Sequence, residues 1–171
     1  MKKHFIRKDD VIQWAVDRSI VQFSTVRAQL LKTQEELDEL KAAVAAVDLG
    51  ETIDGVGDVL VTLIIAAHMA GLDIDQCFSD QFGYVTAFPT RLTPARVEWR
   101  LAWSQKWLNE LVAAVGSDSS SVPGLIALVA GGVISVAACA GSFGNECLEA
   151  AWQEIKDRKG YLGPNGIFVK A

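Results

Sequence analysis

Cysteine, histidine and net positive charge are all scarce in this 171-residue chain, and each scarcity removes a class of function. The three cysteines, Cys77, Cys139 and Cys147, form no Cys-x-x-Cys pair, so neither a disulfide framework nor a zinc knuckle is expected. His68 has no second His or Cys at ligand spacing and reads as a packed core residue. The net charge is −5 and the pI is near 5.0, which leaves no basic footprint for holding a nucleic-acid polymer by counterion release. No apolar run of signal-peptide length follows the charged opening MKKHFIRKDD, so a cytoplasmic location is expected. Charge is missing altogether between Ser119 and Asn145, and VPGLIALVAGGVISVAACAG is long enough to cross a bilayer core of about 30 Å. No Lys/Arg cluster flanks it to set a topology, and its Ala and Gly content suits a buried bundle helix, so no membrane span is expected.

What the chain does have is apolar residues in helical rhythm. Half of its residues are hydrophobic and 22% are charged, enough for one real core at 18.5 kDa. The fold class is all-α, a helical bundle in a single domain. Helix is expected from Lys8 to about Val47, with Asp9 or Asp10 as N-cap and a division at Ser24-Thr25. DLGE at 48–51 breaks the period, and a helix apolar on nearly every face follows from Thr52 to Ala70. LDIDQCFSDQF gives a short third helix capped by Asp73 or Asp75, FPTRLTP at 88–94 connects, and further helices cover about Pro94–Val115 and the uncharged run to Ala140.

The pattern then repeats. ELDELKAAV at 36–44 lies over WLNELVAAV at 107–115, and IIAAHMAGLDIDQC at 64–77 over ISVAACAGSFGNEC at 134–147, both about 70 residues further on. Two tandem repeats are expected, over about 9–82 and 94–160, with a C-terminal tail at 161–171. The uncharged helix is then the counterpart of the helix at 52–70, which again favours burial. Trp99, Trp103 and Trp107, four apart on one stripe, read as packing between the repeats.

Acidic residues carry the chemistry. On a helical wheel, Leu40, Val44 and Ala43 fall within about 80° of Glu36, so Glu36 lies in the apolar arc and Glu39 at its edge. Asp54, Glu51, Thr62 and Ile65 fall within about 40° of Asp58, and no Lys or Arg occurs between Glu51 and Ser79. An ionised carboxylate in apolar surroundings needs a counterion, and paired carboxylates on two helices suit a hard cation, Mg2+ or Mn2+ in its place. Such a site suits phosphoryl transfer.

The runs WAVDRSIV, QLLKTQEELDELKAAV, IDGVGDVLVTLI and CLEAAWQEIKDRKGYLGPNGIFVKA together resemble the MazG-like all-α nucleotide pyrophosphohydrolases, phage-type members in particular. Glu36-x-x-Glu39 and Asp54-x-x-x-Asp58 stand where the family has its two acidic motifs. Two positions depart from it: Gly55, where many relatives carry Glu, and Gln153, where they show Asn. The resemblance implies Mg2+-dependent hydrolysis of a (deoxy)nucleoside triphosphate to monophosphate and pyrophosphate, with Glu36, Glu39, Asp54 and Asp58 as metal ligands. Glu35 or Glu36 would take the proton. Trp14, Arg18, Lys32, Gln153, Lys156 and Arg158 would contact substrate, Trp14 by stacking on the base. In the second repeat Glu35, Glu36, Asp54 and Asp58 are matched by Lys106, Trp107, Gly124 and Leu128, and only Glu110 survives, matching Glu39. A covalent pseudo-dimer with one active site is therefore expected, acting as a monomer or as a homodimer. The alternative is a helical protein that binds nucleotide or metal without turnover, with a small helical membrane protein behind it.

Overall fold

A computed structural model describes residues 6–78, 94–117 and 120–171, except the side chain of Arg96. The chain is mostly helical, with eight helices and one small sheet among the described residues. These are α1 (Lys8–Asp17), α2 (Ile20–Phe23), α3 (Val26–Ala45), α4 (Leu49–Met69), α5 (Ile74–Phe78), α6 (Pro94–Ala114), α7 (Val122–Cys139) and α8 (Gly144–Ile155), then β1 (Gly160–Leu162) and β2 (Phe168–Lys170).

Local chemistry sets the helix ends. Thr25 is extended and its hydroxyl accepts from the Ala28 N–H at 3.1 Å, so the expected division at Ser24-Thr25 is the N-cap of α3. A second break comes earlier, where Ser19 takes a left-handed conformation with φ of 61° and separates α1 from α2. Neither Asp9 nor Asp10 caps α1. Arg7 stands at the N-cap, and both acids lie in the first turn, where negative charge meets the positive end of the helix dipole. The expected break falls at 46–48, just before and at the start of DLGE, and the helix begins earlier than about Thr52: Asp48 caps α4 by accepting from the Glu51 N–H at 3.1 Å, and Gly50 is already helical. In α5 the Gln76 N–H is taken by Asp73, one of the two expected caps. The remainder of that expected helix and all of FPTRLTP before Pro94 lie outside the described residues.

Helix α4 is the centre of the bundle. It packs along α3 and α8, with α1 and α7 also against it, and α6 packs along α7 and α3. Val56, Val59, Leu60, Leu63, Ile64, Ala66 and Ala67 are wholly buried along α4. Both α4 and α7 are long and apolar enough to cross a membrane, and in this bundle most of α4 and about half of α7 are buried. The two helices also stop alike. The Leu72 N–H reaches back to the Ala67 carbonyl and that of Ser142 to the Ala137 carbonyl, around left-handed Gly71 and Gly141.

Close helix approach depends on Gly57. A Cβ there would stand 2.2 Å from the Cys147 carbonyl oxygen and 2.7 Å from the Ala151 Cβ, so only glycine lets α8 lie this near to α4. The tryptophan expectation is corrected: Trp99 and Trp103 are 60% and 42% exposed. Helix α6 buries the neighbouring stripe of Val97, Leu101, Ser104, Leu108 and Leu111, which leaves Trp99 and Trp103 turned outward and Trp107 half-buried against the core. The expected tail is in fact an antiparallel hairpin, Gly160 opposite Lys170 and Leu162 opposite Phe168, closed by a turn in which the Gly163 N–H donates to the Ile167 carbonyl.

Candidate functional site

The α3–α4 hairpin builds the walls of a pocket. Glu39, Glu36, Lys32 and Gln29 recur at three- and four-residue spacing on one face of α3, while Asp58, Val61, Thr62 and Ile65 do so on α4. The helices touch where Gly55 meets Leu40, so a Cβ added to Gly55 would lie 3.3 Å from that of Leu40. Residues Trp14 and Ile20 on one side, Ile155 and Arg158 on another and Phe168 and Lys170 of β2 complete the enclosure, whose volume is about 300 Å³.

One end of this space is acidic. Asp54, Asp58 and Glu154 each bring a carboxylate oxygen to within 4.8 Å of the others. Burial pushes the pKa of Asp58 up to about 8, and the negative charges of Glu36, Asp54 and Glu154 add to it against the pull of Arg158. Asp54 rises to about 6, first through burial and then through its hydrogen bond with Glu154. Burial opposes ionisation of Glu154, but the same hydrogen bond and Arg158 outweigh it and lower its pKa, so the proton of that pair sits on Asp54. In chemistry this donor set could hold a hard divalent cation: three carboxylates from two helices, all oxygen donors, one of them kept protonated near neutrality by burial and its acidic neighbours.

Positive charge does reach the pocket, from elements other than α4. Lys32 lies 2.9 Å from Glu36 Oε1 and 2.9 Å from Glu35 Oε2. Arg158 pairs with Glu154, and Lys170 of β2 lines the same space. The missing basic residues of the 51–79 segment are thus partly supplied by tertiary contact. Asp58 itself has no ion-pair or hydrogen-bond partner among the described residues.

The structure sorts the expected site residues. Asp54 and Asp58 meet as expected; Glu36 is buried and faces Asp58 across the pocket but is held by Lys32, and Glu39 lines the rim with its side chain exposed. Glu35 is exposed, bound to Lys32 and outside the lining. Trp14 is buried; its indole N–H donates to the Ile155 carbonyl at 2.8 Å and its ring meets Phe168 edge-on at 5.4 Å. Arg18 lies over the Trp14 ring at 4.7 Å and donates to the carbonyls of Arg158 and Lys156, so it fixes the turn after α8 and does not line the pocket. Gln153 and Lys156 are exposed, bonded to each other, and outside the lining, whereas Arg158 is in it. His68 is half-buried and no part of the site.

Glu154, beside the pocket, and three residues of its lining escaped the sequence reading. Glu154 lies seven residues after Cys147 and three after Ala151, the face of α8 that meets Gly57, and a wheel of the tail helix carried that signal. Gln29 lies two turns before Glu36 on the same face of α3 and is 4% exposed. Phe168 and Lys170 depend on the hairpin, whose Gly-Pro-Asn-Gly turn between apolar flanks was its mark.

No family model matches this chain, and neither does any solved structure. The chain is 36% identical over 64 residues to an uncharacterized 18.2 kDa protein in the rep-hol intergenic region of Haemophilus phage HP1, strain HP1c1. That alignment takes in 37% of this chain and 39% of the phage protein. The likeness therefore spans well under half of the relative's length.

Proposed function

We propose that this chain is a MazG-like, Mg2+-dependent nucleoside triphosphate pyrophosphohydrolase, built as a covalent pseudo-dimer with one active site. The observation that carries the proposal is the cluster of Asp54, Asp58 and Glu154, whose member Asp58 lines a pocket that Lys32, Arg158 and Lys170 also line. Carboxylates without enough counter-charge beside cations that a phosphate could engage are the two halves of a metal–phosphate site. The phage likeness fits the phage-type resemblance. The matched helix pairs α3–α4 and α6–α7, with matching stops at Gly71 and Gly141, support the two-repeat arrangement.

In this mechanism Asp54, Asp58 and Glu154 hold the cation, with Glu36 and Glu39 next to them on the facing helix. When bound, Mg2+ supplies charge neutralisation for phosphate oxygens and Lewis acidity at the phosphorus attacked. Lys32, Arg158 and Lys170 meet the remaining phosphate charge, Arg158 through a guanidinium suited to two oxygens at once. Glu36, nine-tenths buried and already within reach of Lys32, is placed to accept the proton of an attacking water at Oε1 or Oε2. Glu35, turned away from the pocket, drops out of that role.

The test is a panel of ribo- and deoxynucleoside triphosphates with Mg2+, scored for pyrophosphate. Asp58→Asn should abolish release and Glu110→Gln, in the second repeat, should leave it nearly intact. Equal loss from both changes overturns the one-site assignment, and binding without any product overturns the hydrolase.

A further inference from the structure

The pocket has a second end. Gln29 and Ile65 each lie seven residues from Glu36 and Asp58 along their helices, two turns or about 10 Å from the acids on either wall. Ile20, Trp14 and Phe168 give the same pocket apolar walls, and Gln29 supplies the one carboxamide in its lining. This amide is a costly thing to bury among apolar groups unless its hydrogen bonds are met. Its Nε2 donates to Ser24 Oγ at 2.9 Å, an anchor at the start of α3. No described residue donates to its Oε1, although the residue as a whole is only 4% exposed. The Thr62 hydroxyl, also in the lining, has its proton committed to the Val59 carbonyl at 3.0 Å.

Resting on the hydrolase proposal above, we infer that Gln29 is the base-reading residue: its Oε1 accepts an N–H of the nucleobase while the triphosphate lies along α3 and α4 toward the acidic end. The juxtaposition of an anchored, buried amide carrying a spare acceptor with aromatic and aliphatic walls is what a flat heterocycle with a polar edge requires. Bases that present a ring N–H or amino group at that edge are preferred, and a triphosphate whose sugar carries no base gains nothing from the amide. The Nε2 contact with Ser24 sets which amide atom faces the ligand, so Ser24 is a positioning residue for this choice.

The experiment compares kcat/KM for each nucleoside triphosphate with that for the base-free deoxyribose 5′-triphosphate, in the parent chain and in Gln29→Leu and Ser24→Ala. In the parent, one or two bases should exceed the base-free compound by a wide margin. Gln29→Leu should cut that ratio roughly 10- to 100-fold, mainly through KM, the range expected when a buried polar contact loses its partner. Ser24→Ala, which leaves the amide in place but unanchored, should cut it by a smaller factor. A ratio unchanged within about twofold in Gln29→Leu overturns the inference while leaving the hydrolase proposal standing. If the parent hydrolyses none of these compounds, calorimetry with α,β-imido nucleotides and Mg2+ reads the same ratio as affinities. Base discrimination that disappears in Gln29→Leu then upholds the inference without the hydrolase, and its persistence, or no binding at all, overturns it.

Discussion

Asp58→Asn in the metal-free protein should raise stability at high pH and change it little at low pH. Burial first, and the charges of Glu36, Asp54 and Glu154 second, carry the pKa of Asp58 from the ordinary aspartate range to about 8. A carboxyl group with a raised folded-state pKa contributes stability that is fully present below the unfolded pKa near 4 and is lost as the pH rises through about 8. At about 1.4 kcal/mol per tenfold change in proton affinity, the complete loss is bounded at about 6 kcal/mol. Asp58 keeps an edge toward the water of the pocket, so about 2–3 kcal/mol is the expected share. Asparagine matches the neutral acid in shape and does not titrate. In a domain of this size about 1 kcal/mol moves Tm by roughly 2–4 °C, so the variant should melt about 5–10 °C above the parent at pH 9 in EDTA and within about 2 °C of it at pH 4. Calorimetry across that range measures the gap directly. With Mg2+ at about a hundred times its Kd, near pH 8, the parent alone should gain about 2.7 kcal/mol and the order should reverse. A gap that does not widen with pH would refute the burial and charge account of Asp58, and a variant that gains as much from Mg2+ as the parent would remove it from the metal site.

Gly57→Ala should lower stability by about 1–3 kcal/mol, because its Cβ would press on the Cys147 carbonyl and Ala151, and should weaken Mg2+ stabilisation as Glu154 moves off. Gly50→Ala, in the open first turn of α4, is its control and should raise Tm slightly; equal losses in both would count against the α4–α8 contact. Trp99→Ala should change stability by no more than about 0.5 kcal/mol in denaturant titration, as the exposed side chain implies. Phe168→Ala should cost about 1–2 kcal/mol and weaken nucleotide binding in calorimetry, since Phe168 both packs on Trp14 and lines the pocket.

The parts of this molecule that one helix carries by itself were legible in its residues. Asp54, Asp58 and Thr62 share a wheel position, and the stop at Gly71 is written in local chain chemistry, so α4 and its acidic strip follow from periodicity alone. Helix starts were harder, because a capping side chain looks the same as a loop residue: all of DLGE reads as a break, whereas Asp48 caps a helix that Leu49 and Gly50 already belong to. The tryptophans of α6 misled for a different reason. Their four-residue spacing matches a buried stripe, but Val97, Leu101, Leu108 and Leu111 define an equally regular one, and only packing against α7 decides between them.

The site's third carboxylate shows why tertiary register is the limiting step. Glu154 lies far along the chain from Asp54, and nothing in either helix states their alignment; it is set by how closely α8 can approach, which is a property of Gly57. The same register brings Arg158 to the pocket, and the hairpin beyond it adds Lys170 and Phe168. In the proposed site one close helix contact would thus supply an acid for a cation and a cation for phosphate together. A change at Gly57 should therefore disturb metal binding and nucleotide binding in parallel, whereas changes at Gln29 should disturb the nucleotide alone. That separation, measured as Mg2+ affinity against nucleotide affinity in the two variants, distinguishes a pocket with two independent ends from one that responds as a single unit.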